Sequence, residues 1–131
     1  MKKIILLALL FTFTLTTTVQ AGAKREARKA YILKQTKLTT EQQKKVMPVL
    51  EAFLEELSTN KKRHDAIKDK YRSADAAGKL TPAQAEEIMT SKFNKDEKEL
   101  SIRRTYYSKL KSVIGTVKAR EIIKFSDDKI K

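Results

Sequence analysis

The sequence predicts an all-α fold of four helices: a long antiparallel helical hairpin with short first and last helices, laid out as a thin, curved layer. Three observations carry that expectation. Only 3 Gly and 2 Pro occur among 131 residues, of which 34% are charged, and such a composition favours helix over strand or turn-rich folds. A short phrase of helix-starting residues appears twice, as Leu38-Thr39-Thr40-Glu41-Gln42 and Leu80-Thr81-Pro82-Ala83-Gln84. Behind each copy, apolar residues recur every three or four positions, the period of one helix face.

Each phrase spells a capping box. The hydroxyl of Thr39 or Thr81 can accept from the backbone N–H three residues on, and the side chain of Gln42 or Gln84 can reach back to the Thr N–H. Two of the donors that a helix start leaves unpaired are satisfied together. Leu38 and Leu80 stand just before the caps. Pro82 falls at the first helical position, where its missing N–H costs nothing and its fixed φ suits the helix.

The first residues read as an export signal. Met1-Lys2-Lys3 is a basic start, Ile4 to Leu15 is an apolar run interrupted only by Thr12 and Thr14, and Thr16 to Ala21 is small and polar. This is the pattern of a cleaved secretory leader over residues 1–21, with cleavage after Ala21 or, as an alternative, after Ala23. The run falls short of the ~20 apolar residues of a membrane span. Residues 22–131 are then expected to form one exported all-helical domain. The chain has no cysteine, which excludes a disulfide scaffold and a thioether-linked lipid anchor.

Removing Lys2 and Lys3 with the leader lowers the formal charge from +13 to about +11. Export argues against nucleic acid as the counterpart of this charge. The anionic partners that remain are acidic stretches of other proteins, acidic polymers and, by weak contact, an anionic membrane surface; a solvated surface that only keeps the protein soluble needs no partner.

The first helix is expected over about Glu26 to Lys34, behind the basic cluster Lys24, Arg25, Arg28 and Lys29, with a frayed beginning. The second, about Thr40 to Arg72, carries Val46, Leu50, Phe53, Leu57, Ile67 and Tyr71 on one stripe, with Asn60 and His64 filling the seam. Its front half reads as core, whereas its back half, with Lys61, Lys62 and Arg63, is strongly polar. Pro48 lies well past the first turn and is expected to kink this helix. Ser73 to Lys79 reads as the connection, with Gly78 ending the helix. The third helix, about Pro82 to Val113, carries a stripe of Met89, Phe93, Leu100, Tyr107 and Ile114, supplemented by Ile88, Ile102, Tyr106, Leu110 and Val113. Gly115 interrupts it, a fourth helix follows over about Val117 to Phe125, and Ser126 to Lys131 reads as a frayed polar tail.

The paired Leu-Thr-x-x-Gln phrases, in a cysteine-free basic helical chain behind a leader, resemble the Spy/CpxP family of bacterial periplasmic proteins. In residues, the resemblance is confined to Leu38 to Gln42 and Leu80 to Gln84. In that family the second phrase usually precedes the last helix; here it opens the third, and the late position is held by Ile114-Gly115-Thr116-Val117-Lys118, which lacks the Gln. The resemblance implies a thin helical cradle, able to form a homodimer, that acts as an ATP-independent chaperone for unfolded or partly folded envelope proteins or as a modulator of envelope stress. The alternative is a non-catalytic regulatory protein that binds a sensor protein and lacks general chaperone activity.

Client-binding candidates are the cations Lys61, Lys62, Arg63, Arg103 and Arg104, with Phe93 and Tyr106 as candidate apolar contacts, although core packing is the commoner role of such rings. No catalytic residue is expected. His64 is the only histidine, and Ser91, Ser101 and Ser108 have no base at a telling spacing. No cofactor and no metal site are expected: an imidazole-rich or thiolate site cannot be assembled, and Asp96, Glu97 and Glu99 could offer only oxygens on what reads as a solvated face.

Overall fold

Residues 22–128 are described by a computed structural model. The leader over residues 1–21 and its cleavage point at Ala21 lie outside the described residues, as do the last three residues of the tail. Helix α1 spans residues 22–36, α2 Thr40–Lys70, α3 Arg72–Ala76 and α4 Pro82–Asp127. Among the described residues there is no strand, and the fold is all-α.

Both capping boxes form. The Gln42 N–H donates to Thr39 Oγ1 at 3.2 Å and the Thr39 N–H donates to Gln42 Oε1 at 3.1 Å. At the head of α4 the same pair of bonds joins Gln84 and Thr81 at 3.2 and 3.0 Å. Leu38 is buried in the core, and Leu80, at the far end of α2 and α4, is half-buried. Thr39→Ala and Thr81→Ala should each lower stability by about 1 kcal/mol, read as a shifted urea midpoint with an unchanged slope; no shift in either would show that the boxes are ornamental.

α2 runs through Pro48 as one helix. It ends at Lys70, because Tyr71 leaves helical geometry at φ −112°, ψ 13°. The connection to α4 is tighter than the sequence suggests: it contains the single turn of α3, closed by Gly78 at φ 67° with its N–H on Asp75 O.

Gly115 reverses the chain. It sits at φ 84°, ψ 169° inside the span of α4, a region open essentially to glycine alone. Arg103 Nη1 donates to Ser126 Oγ at 2.7 Å, although 23 residues of straight helix would hold these positions about 35 Å apart. The segment after Gly115 therefore folds back along the one before it. This is the short last helix of the sequence reading, and its end is docked rather than frayed: Ser126 is buried, and Asp127 pairs with Arg103 at 3.2 Å.

α1 is likewise tied down from its first turns. Arg25 pairs with Glu55. Lys29, 6% exposed, bonds Glu26 and Glu51 at 2.6 and 2.9 Å, and those two carboxylates, Glu26 first, hold its ammonium above the usual lysine range. These pairs run antiparallel along α2. Across the bundle Arg28 donates to the carbonyls of Phe125 and Asp128, and Tyr31 donates to Asp128 Oδ2 at 3.0 Å. Lys118 Nζ donates to Thr36 O at 2.6 Å, supplying a partner to a carbonyl at the end of α1. The expected fraying at both ends fails for one reason. Arg25, Arg28 and Lys29 at one end and Arg103 at the other meet carboxylates or helix-end carbonyls far away in the chain, and local spacing does not show such partners.

The core lies where these four segments meet. Ile32, Val46, Leu50, Phe53, Leu110, Ala119 and Ile122 are fully buried there, with Phe53 stacked on Tyr106 at 5.2 Å between ring centres. Farther out only α2 and α4 continue, as a two-helix arm that ends at α3. The two-helix layer of the sequence reading is realised in this arm, and the short helices close onto it at the other end. Along the arm the seam is polar. Asn60 donates to Lys95 O at 2.9 Å, and His64 Nδ1 lies 2.8 Å from Ser91 Oγ.

Candidate binding surface

The antiparallel fit of α1 on α2 sets the start of α1 beside the middle of α2, where the core gives way to the arm. α4 and its folded-back segment close the other side. The result is an open groove floored by Ala27, Leu54 and Leu57 and rimmed by seven cations against three carboxylates, Asp65, Glu99 and Asp127. Lys24, Arg25 and Arg28 come from α1, Lys61 and Lys62 from α2, and Lys95 and Arg103 from α4.

These cations are not equivalent. Arg25 is neutralised by Glu55, and Arg103 is held by Glu99 at 2.9 Å, Asp127 and Ser126. Lys61 reaches Asp65 only at 3.9 Å. The side chains of Lys24, Lys62 and Lys95 meet no carboxylate within salt-bridge distance among the described residues. An uncompensated positive field over a partly apolar floor attracts anionic groups from a distance and offers apolar contact once they arrive.

The structure thus brings three of the candidate residues, Lys61, Lys62 and Arg103, to one groove, and gives Arg103 a structural duty within it. Arg63 lies on the opposite flank of α2, beside Ser91 and Lys98. Arg104 is exposed on the outer side of α4. Tyr106 is 5% exposed; burial, with a lesser contribution from Glu56, raises its phenol above the ordinary range, and its ring is core.

Phe93 occupies the other extreme. Met89, Phe93 and Leu100 are 44%, 56% and 51% exposed, and their spacing puts them within roughly 40° of one another around α4. From Met89 to Leu100 the stripe that looked like the core row of α4 is therefore its outer row, whereas its later members Tyr107 and Ile114 are half-buried against the core. The inner row is Ile102, Tyr106 and Leu110, continued into the arm by Lys95 and Ser91. The apolar periodicity leaves those last two residues out, because the partners that mark them as inward, Asn60 and His64, lie on another helix.

The sequence pattern gives Lys95 no role and sets Lys24, Arg25 and Arg28 at a frayed helix beginning, outside the client-binding candidates. The available signal was the run of Glu51 and Glu55, four apart on α2, against Arg25 and Lys29, four apart on α1: matched spacings of opposite charge. The carboxylates considered for a metal are committed elsewhere, Asp96 to Lys92 at 3.3 Å and Glu99 to Arg103. Among the described residues no three His, Asp or Glu side chains gather, and no helix is long and apolar enough to cross a membrane. Compared with family models, with curated proteins and with solved structures, the chain matches none.

Proposed function

We propose that this protein is an ATP-independent, chaperone-like protein of the bacterial envelope that holds unfolded or partly folded proteins on the basic groove between α1, α2 and α4. The observation that carries the reading is the pairing of uncompensated cations, Lys24, Lys62 and Lys95, with the apolar floor Leu54 and Leu57. Unfolded chains present both acidic and apolar side chains, so such a groove binds them weakly and without regard to sequence. The exposed row of Met89, Phe93 and Leu100 adds apolar area for a long client. Neither nucleotide nor a catalytic group enters this mechanism.

The protein from Gly22 onward should suppress aggregation of several unrelated denatured proteins at near-equimolar ratio without ATP, measured by light scattering. Raising the salt should weaken the effect, because exposed charges beyond a Debye length of ~8 Å at physiological ionic strength are screened. Lys24→Glu combined with Lys62→Glu should weaken client capture about tenfold at low salt, the scale of a few rim charges. Neither lysine takes part in the ion pairs that hold the bundle together. Failure on every unrelated client, together with tight binding to one sensor protein, would transfer the surface to the regulatory reading.

A further inference from the structure

His64 occupies a position that no binding role explains. It is 6% exposed, sits on the inner face of α2 where the core has ended, and meets Ser91 of α4 at 2.8 Å through Nδ1. Beyond it, the outer part of the arm is held by the half-buried Ile67 and Ile88, by Tyr71 donating to Glu87, and by Lys70 with Glu87 at 3.6 Å. No fully buried apolar residue lies beyond His64 on either helix.

The charges around the ring are mostly of one sign. α2 contributes Arg63, Asp65 and Lys68; α4 contributes Glu86, Glu87, Lys92, Lys95 and Lys98. Asp65, the nearest carboxylate in sequence, already serves Lys61 at 3.9 Å and Lys68 at 3.5 Å, while Glu87 is engaged by Lys70 and Tyr71. A neutral imidazole fits this place. An imidazolium would be both poorly hydrated and set among lysines.

We propose that His64 is a proton-operated latch: with the ring neutral the outer arm stays closed, and in mild acid protonation releases the arm beyond Ser91 and uncovers Ile67 and Ile88. Burial first, and then Lys68 and Lys95, lower the affinity of the closed state for the proton. The sign follows from linkage. Above about pH 6.5 the ring is neutral in both states and nothing is lost. Below that the open state takes the proton first, so the open-to-closed ratio rises by up to tenfold for each unit of pH, until the closed state's own lowered pKa is reached. The latch operates whether or not the groove binds clients.

The chain has one His and no Cys, which makes the test direct. Spin labels at Asp69→Cys and Ala83→Cys report the outer arm, and labels at Ala52→Cys and Ser108→Cys report the bundle; all four positions are exposed. Between pH 7.5 and 5.5 the outer distance distribution should broaden and lengthen, the bundle pair should stay constant, and His64→Gln should abolish the outer change. In the full-length protein the single imidazole C2–H resonance should titrate with a midpoint below pH 6.5. An outer distribution that ignores pH overturns the proposal, as does one that responds equally in His64→Gln, or a histidine midpoint at or above 6.5.

Discussion

Phe53→Ala is expected to lower the unfolding free energy by about 3–5 kcal/mol, the cost of emptying a large, well-packed core site. Phe53 is fully buried, stacks on Tyr106, and lies among Leu50, Leu110 and Ile122. It therefore bridges the front half of α2 to the inner row of α4. Both partners gain little by collapsing into the space, because each is fixed by its own helix. A domain of this size has ~5–15 kcal/mol in all, so the variant should sit near the edge of folding at 37 °C. Phe93→Ala is the matched control. Its ring is 56% exposed, and its loss should change stability by no more than about 0.5 kcal/mol. Urea unfolding of the two variants, followed by circular dichroism, separates them. Equal effects would mean that α4 is rotated relative to the arrangement described.

Gly115→Ala should cost about 1–3 kcal/mol for a different reason, since at this site no packing is at stake. A methyl group built at Gly115 meets no atom within 4 Å, so the penalty is entirely that of holding an L-residue at φ 84°, ψ 169°. The chain can escape the strain only by continuing α4 as a straight helix. That would withdraw Ala119, Ile122 and Ser126 from the core and break the Arg103 network. The expected readings are a lower urea midpoint and release of the final segment to protease. Unchanged stability with an intact final segment would show that the reversal does not depend on glycine.

These two sites also mark the boundary of what the sequence makes legible. The helix starts were plain, because the capping residues that form them lie within four positions of one another. The break at Gly115 was plain too, but its geometry was not: interrupting a helix and folding it back leave the same mark in the sequence, and Arg103 with Ser126 decides between them only in three dimensions. On α4 there were two apolar rows, and periodicity alone could not say which faces α2. The longer row, Met89 to Ile114, turned out to face outward over much of its length, because the inner row is completed in the arm by polar residues whose partners are Asn60 and His64. The groove was half visible. Lys61, Lys62 and Arg103 were chosen for their charge, but the part of the rim supplied by α1 depends on the register of α1 against α2, which no local pattern encodes.

The contacts of α1 with the folded-back segment have a consequence for the order in which the protein assembles. Arg28 and Tyr31 bond residues 97 and 100 positions away, at Phe125 and Asp128, whereas α2 and α4 meet through a short connection at α3. The α2–α4 pair can form through that short connection, whereas α1, docked on α2 alone, must wait until Gly115 has turned the chain before Phe125 and Asp128 come within reach. Long-range closure of this kind is slow, because its loop-closure entropy is lost before the contacts reward it, and for this chain it is expected as the last step of assembly.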